Sequence, residues 1–180
     1  GHQHLHSPEE IDLLIAESRD GGLLEPEEQQ RLKRALHLSK RTAGDLMVPR
    51  ERLTTVPVNA SADAVLEIVL GSPFSRLPVL STSSDTIVGV LRVKDVVEQH
   101  ASGGSVTVES LMRPALVLDA GLPADRVLTM LRDRRAHSAV VIDQTGRSLG
   151  LITIQDVLSE LLGTPANEPQ RSRPATGRPA

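Results

Sequence analysis

The chain carries one pattern twice. Leu46-Met47-Val48-Pro49 returns as Leu111-Met112-Arg113-Pro114, and Gly89-Val90-Leu91-Arg92-Val93-Lys94-Asp95 returns as Gly150-Leu151-Ile152-Thr153-Ile154-Gln155-Asp156, with small length changes between them. Two copies about 60 residues apart are too few for a solenoid, which stacks at least three repeats. They suit a pseudo-twofold pair with a ligand cleft near the seam.

Composition narrows what such a pair can do. The 180 residues make one or two small domains, and a 39% apolar content with a single aromatic, Phe74, requires an aliphatic core. A net charge of −3 and the lack of aromatic stacking platforms argue against a nucleic-acid surface. No cysteine is present, so disulfides, thiol catalysis and cysteine-based zinc sites are excluded, in keeping with a reducing compartment. No apolar run approaches the roughly 20 residues of a membrane span. The chain has neither a signal-peptide pattern nor an initiating Met, and it reads as a piece of something longer.

Gly1 to His6 reads as a frayed polar terminus. Its alternating His2, His4 and His6 would share one face of an extended strand, but nothing rigid holds them as metal ligands. Ser7-Pro8-Glu9-Glu10 is a helix start with a capping box, and Gly21-Gly22 is a stop. A second helix from Pro26 to Ser39 is expected to set Leu32, Ala35 and Leu36 on one side. Eight acidic residues and one Arg lie between Ser7 and Gln30, either as a solvated face or as a connector facing a cationic partner.

From Ser39 to Gly163 each copy opens with a Pro-containing turn. Short strands follow at Leu53 to Val58 and Ala115 to Leu118, then helices at Ala62 to Leu70 and Pro123 to Arg132. Paired strands come next, at Leu77 to Leu80 with Ile87 to Leu91 and at Ala139 to Ile142 with Leu149 to Ile152, and Asp143-Gln144-Thr145-Gly146 makes the second hairpin turn. Closing helices run from Lys94 to His100 and from Ile154 to Leu162. The result is a β-α-β-β-α unit written twice. From Thr164 onward, prolines and arginines without apolar periodicity predict a disordered tail.

These residues carry a resemblance. The doubled unit, Ser75 to Val79, Ile87 to Asp95, His137 to Asp143 and Gly150 to Gly163 are similar to a tandem CBS-domain pair. With Asp45 to Arg50 added, they resemble the soluble part of the CorC/CNNM (hemolysin-C-like) family of membrane proteins implicated in magnesium and cobalt efflux. The resemblance spans about 125 of 180 residues. It implies an α/β fold of α+β layout: two β-α-β-β-α CBS repeats packed as a pseudo-twofold pair and preceded by an acidic helical connector. The expected segments are the connector (1–40), a first repeat (41–101), a second repeat (102–163) and the tail (164–180). In that family a membrane domain precedes the connector, and many members also carry a C-terminal transporter-associated domain, which is expected to be absent here.

The motif of the second repeat admits two chemistries. If Gly150 lets a ligand approach the backbone, Thr153 offers a hydroxyl to a phosphate at a helix start, where free N–H groups favour an anion. Asp156 can then accept both hydroxyls of a ribose. CBS pairs are similar in using this G-x-x-T-x-x-D pattern for adenosine nucleotides. Thr153-Ile154-Gln155-Asp156 is equally a T-x-x-D capping box that serves the helix alone. The first repeat keeps Asp95 but has Arg92 in place of the Thr, so one competent cleft is expected rather than two. Family similarity sets Ser75 and Arg76 toward a central cleft, with Arg76 a phosphate clamp or an ordinary surface ion pair. His137, aligned with Ser75, is a further nucleotide contact or a half-exposed histidine. Arg132, Arg134 and Arg135 are a solvated basic run or a phosphate attractor. No carboxylate spacing singles out a metal site.

No serine-hydrolase elbow, P-loop, metalloprotease motif or cysteine nucleophile is present, so the chain is not expected to be an enzyme. The resemblance implies a regulatory module for an adenosine nucleotide, ATP or AMP, with Mg²⁺ accompanying ATP. It also implies a homodimer through CBS pairs and a relay to the membrane domain of the parent chain at the cytoplasmic face of the cell membrane. The alternative is a dimerisation module with no ligand.

Overall fold

The computed structural model describes residues 8–20 and 25–163. The histidines of the first six residues, the Ser7 cap, the Gly21-Gly22 stop and the tail from Thr164 lie outside these. The fold is mixed α+β. Its described residues form two compact units, one made of the residues up to Glu51 with those from Leu116 on, the other of Arg52–Ala115.

The first unit begins with helices α1 (Pro8–Asp20) and α2 (Pro26–Leu38). Pro26 sits in the first turn of α2, where its missing N–H costs nothing, with Glu27 and Glu28 favouring the positive end of the helix dipole. The buried face of α2 differs from the expected one. Gln29 and Leu38 are buried, Leu32 is 43% exposed and Ala35 is exposed, because α2 contacts both α1 and α8.

A one-turn helix, α3 (Ala43–Leu46), leads into strand β1 (Val48–Pro49). The remaining elements of this unit are β5 (Leu116–Asp119), α7 (Ala124–Asp133), β6 (Ser138–Ile142), β7 (Ser148–Thr153) and α8 (Ile154–Leu162). The sheet order is β1-β7-β6-β5, with β5 parallel to β6 and the other pairs antiparallel. The β6–β7 turn forms as expected. Asp143 N–H donates to the Arg147 carbonyl at 3.0 Å, and Gly146 takes a φ of +85°, open to glycine without strain.

The second unit holds β2 (Val56–Pro57), α4 (Ala62–Gly71), β3 (Arg76–Leu80), β4 (Ile87–Arg92), α5 (Val93–Ala101) and the short α6 (Val108–Leu111). Its sheet runs β2-β3-β4. The strand expected from Leu53 to Val58 shrinks to Val56–Pro57, the two residues that pair with β3; Leu53 to Thr55, after a 3₁₀ turn at Arg50–Arg52, are irregular.

The openings of the repeats are not simple turns. Each is a short helix capped by a threonine: Thr42 Oγ1 accepts from Asp45 N–H at 3.3 Å, and Thr107 Oγ1 from Ser110 N–H at 3.3 Å. Each is followed by a segment that pairs with the last strand of the other repeat. Val48 lies opposite Leu151 and Pro49 opposite Gly150, while Arg113 and Val90 exchange N–H···O bonds of 3.0 and 2.9 Å. The compact units therefore cut across the sequence repeats.

Both cores are aliphatic, as a chain with one aromatic requires. Leu118, Val127, Leu131, Val141, Ile152 and Val157 pack in the first unit. Val56, Val65, Leu77, Val79, Leu91 and Val96 pack in the second, with Phe74 against them. The alternation of strand side chains and the apolar stripe of each helix supply these faces.

Candidate functional site

The second-repeat motif sits where β7 ends and α8 begins. Thr153 is the N-cap, with extended backbone, and a complete capping box forms around it. Asp156 N–H donates to Thr153 Oγ1 at 3.1 Å, and Thr153 N–H donates to Asp156 Oδ2 at 2.8 Å. The cap reading of the sequence is thus realised in full.

The same T-x-x-D box occurs at Thr42 and Asp45, and the contrast between them is informative. Asp45 is exposed, and its hydrogen bonds from the Thr42 backbone and hydroxyl hold its carboxyl below the usual range. Asp156 is 4% exposed. Burial pushes its carboxyl up despite the same two bonds from Thr153. Its Oδ1 accepts no hydrogen bond among the described residues and keeps contact with solvent, open to an incoming donor. A vicinal diol is one such donor.

His137 and Ser138 lie beside this box. Ser138 is paired with Thr153 across β6 and β7, and the His137 carbonyl accepts from Ile154 N–H at 3.1 Å, with its imidazole exposed. Arg132, Arg134 and Arg135 are exposed at the end of α7, Arg132 bonding Asp133 at 3.3 Å. Arg135 takes a φ of +51°, a conformation that usually favours glycine. The Ala136 N–H to Leu131 carbonyl bond of 2.9 Å and the Arg135 N–H to Arg132 carbonyl bond of 3.1 Å form a Schellman end that holds it there.

Gly150 has a different role from the expected one. A Cβ there would meet the Val48 carbonyl oxygen at less than any real contact distance, with Met47 Sδ at 2.9 Å. The close approach belongs to the backbone of β1, not to a ligand. Gly89 does the same in the second unit, facing the Arg113 carbonyl at 2.9 Å. The repeated glycines admit the exchanged segments.

Ser75, Arg76 and Asp95 are gathered in the second unit. The Ser75 carbonyl accepts from Val93 N–H at 3.0 Å, the counterpart of the His137 contact. Arg76 lies opposite Arg92 across β3 and β4. Burial, then the Arg92 charge, lowers the affinity of Arg76 for its proton, and among the described residues no carboxylate pairs with it. Arg92 is the N-cap of α5 but caps nothing with its side chain. It turns instead to Asp95, donating from Nε to Oδ2 at 3.0 Å and from Nη2 to Oδ1 at 2.9 Å. Arg113 Nε adds a third bond to Oδ2 at 3.2 Å. The Arg92 fork first, and Arg113 after it, holds the Asp95 carboxyl below its usual range. Nothing local marks Arg113 as a partner of Asp95. The only signal was the Arg in Leu111-Met112-Arg113-Pro114 where the first copy has Val48.

Among the described residues no cluster of three or more metal-ligating side chains occurs, and no helix is long and apolar enough to cross a membrane. Comparison with known proteins finds the CBS domain twice, over residues 43–101 and 108–163. The chain belongs to the CBS domain family. Its repeats are a tandem pair of the CorC/CNNM kind: the magnesium and cobalt efflux protein CorC of Salmonella typhimurium is 31% identical over 160 residues, or 87% of this chain and 55% of that protein. Similar solved structures include two from this family. The CBS domain of a bacterial CNNM/CorC family Mg²⁺ transporter bound to the inhibitor IGN95a has a TM-score of 0.78 at 30% identity, covering 87% of this chain and 98% of that one. The CBS domain of such a transporter in complex with ATP has a TM-score of 0.72 at 30% identity, covering 77% and 99%. The chain spans about half the length of most of the curated relatives it matches, and 38% of one from Bacillus subtilis.

Proposed function

We propose that this chain is the regulatory nucleotide-binding module of a CorC/CNNM-like divalent-cation efflux protein, and that its second repeat binds ATP with Mg²⁺. Asp156 accepts the ribose hydroxyls, Thr153 and the positive end of the α8 dipole face phosphate, and His137 lies on the rim. The observation that carries this reading is the burial of Asp156 inside a capping box that its exposed counterpart Asp45 performs without burial. A carboxylate needed only as a cap gains nothing from desolvation. The ATP complex of a similar CNNM/CorC CBS domain supports the choice of nucleotide. Ser75 and Arg76 belong to the other unit, where Arg76, with no carboxylate partner among the described residues, is a candidate phosphate ligand of its own repeat.

Residues 1–40 then act as the connector, and a homodimer of CBS pairs relays nucleotide state to a membrane domain of the same parent chain at the cytoplasmic face. Such a relay requires ATP to bind two arrangements of the module with different affinity. A dimerisation module without ligand is the second reading, favoured by the completeness of the Thr153–Asp156 cap.

Titration calorimetry of the chain with ATP, ADP and AMP, each with and without Mg²⁺, separates the two. Saturable binding that Asp156→Ala weakens at least tenfold supports the sensor. Silence from every nucleotide, together with a dimer mass in sedimentation, supports the dimerisation module.

A further inference from the structure

Helix α2 precedes the first repeat in the chain, yet it packs on the second. It contacts α8, and Leu38 at its end is 4% exposed within the core that Leu131, Ile152 and Val157 build. The chain that leaves α2 is held to the same unit. The Arg41 carbonyl accepts from Ala124 N–H at 2.8 Å, Ala43 N–H donates to the Leu122 carbonyl at 2.8 Å, and Arg41 Nε lies 3.5 Å from Glu160 Oε1 of α8.

At the far end of α8 this packing becomes chemically specific. The helix has no basic residue in its last turn and ends on Gly163, at a φ of +68°. The last carbonyls of a helix lack intrahelical donors and sit at the negative end of its dipole. Arg34 of α2 meets both needs from outside. Its Nη1 donates to the Leu162 carbonyl at 3.1 Å, and its guanidinium lies so close to Gly163 that a Cβ there would meet Nη2 at 2.9 Å. Thr153 and Asp156 hold the opposite end of the same nine-residue helix. A helix this short is marginal by itself and forms cooperatively, so order gained at one end is shared by the other.

We infer that Arg34 couples the connector to the nucleotide site, with α8 as the rod between them. A nucleotide at the Asp156 end firms the helix that Arg34 holds at Leu162, and loss of Arg34 loosens the site. Arg34 is a positioning residue that acts through α8, and its role rests on the reading of Thr153 and Asp156 as a nucleotide site. Linkage makes the effect reciprocal: nucleotide favours the docking of α2 by the same factor by which docked α2 favours nucleotide.

Calorimetry with Mg-ATP on the full chain compares the parent with Arg34→Ala and with Arg31→Ala, which removes the same charge from an exposed position of α2. Arg34→Ala is expected to weaken binding about fivefold at unchanged stoichiometry, and Arg31→Ala to leave it as it is. Equal affinity in the parent and Arg34→Ala overturns the inference. Equal weakening by Arg31→Ala also overturns it, since the effect is then one of net charge. A parent that binds no Mg-ATP overturns the second-repeat reading and the coupling together. Hydrogen exchange adds a readout that a plain loss of stability does not mimic, and it decides the matter should Arg34→Ala not fold. Mg-ATP is expected to slow exchange at 31–38 in the parent and not in Arg34→Ala, and a parent that binds Mg-ATP with no change at 31–38 overturns the coupling alone.

Discussion

The start of α8 and the start of α5 descend from one sequence pattern and do opposite things with it. In α8 a threonine caps, and its aspartate is buried with an oxygen to spare. In α5 an arginine takes the threonine's place, the cap is lost, and the aspartate becomes the anion of an ion cluster whose side chain is only 15% exposed. One substitution, Thr to Arg, changes a self-satisfied turn with a free acceptor into a self-liganded one. The lesson is that a motif's carboxylate has no fixed role until its competitors are known.

The largest way to break this comparison is through what the repeats share, the glycine under the exchanged segment. Gly150→Ala sets a methyl into the Val48 carbonyl, which is backbone and cannot swing aside. Gly89→Ala meets the Arg113 carbonyl less severely, with the flexible Met112 side chain as the next neighbour. Thermal or denaturant unfolding is expected to show a loss of about 3 kcal/mol for Gly150→Ala and about 1 kcal/mol for Gly89→Ala. Equal losses would mean that the two exchanges are equally tight.

A middle-sized effect sharpens the contrast at the cap. Thr153→Ala removes the acceptor for Asp156 N–H and should cost about 1 kcal/mol. Arg92→Ala removes no cap and breaks the fork on Asp95, for which a smaller loss than that of Thr153→Ala is expected. The order reverses only if the Asp95 cluster contributes more than an ordinary exposed pair.

The smallest effect is in pH. Asp95 has a lowered folded-state pKa, so its contribution is present above the unfolded value of about 4 and disappears as pH falls through the folded one. Asp156 has a raised one, so the folded state binds the proton more tightly and its region gains stability as pH falls through that value toward about 4. Carboxyl-carbon NMR should find Asp156 titrating above Asp95. Amide exchange, corrected for intrinsic rate, should show the start of α5 opening more easily in acid while the start of α8 does not.

Much of the fold was legible because it is written locally. The helices α4, α5, α7 and α8 and the strands β3 to β7 fall within a residue or two of their expected bounds, since apolar period and turn chemistry act over a few neighbours. The Thr153–Asp156 box and the loss of its counterpart at Arg92 were legible for the same reason. The apolar face of α2 was not. Leu32 reads as core by periodicity, yet the contacts with α1 and α8 bury Gln29 and Leu38 instead.

The residues read along the chain are enough to show two copies, aliphatic cores, and where each closing helix begins. Long-range packing alone sets which sheet each opening segment joins, what Gly89 and Gly150 make room for, and which groups hold Asp95. Strand pairing and desolvation depend on groups far apart along the chain, here Val48 with Leu151 and Arg113 with Val90, and a periodicity that repeats every few residues carries no information about partners at that distance.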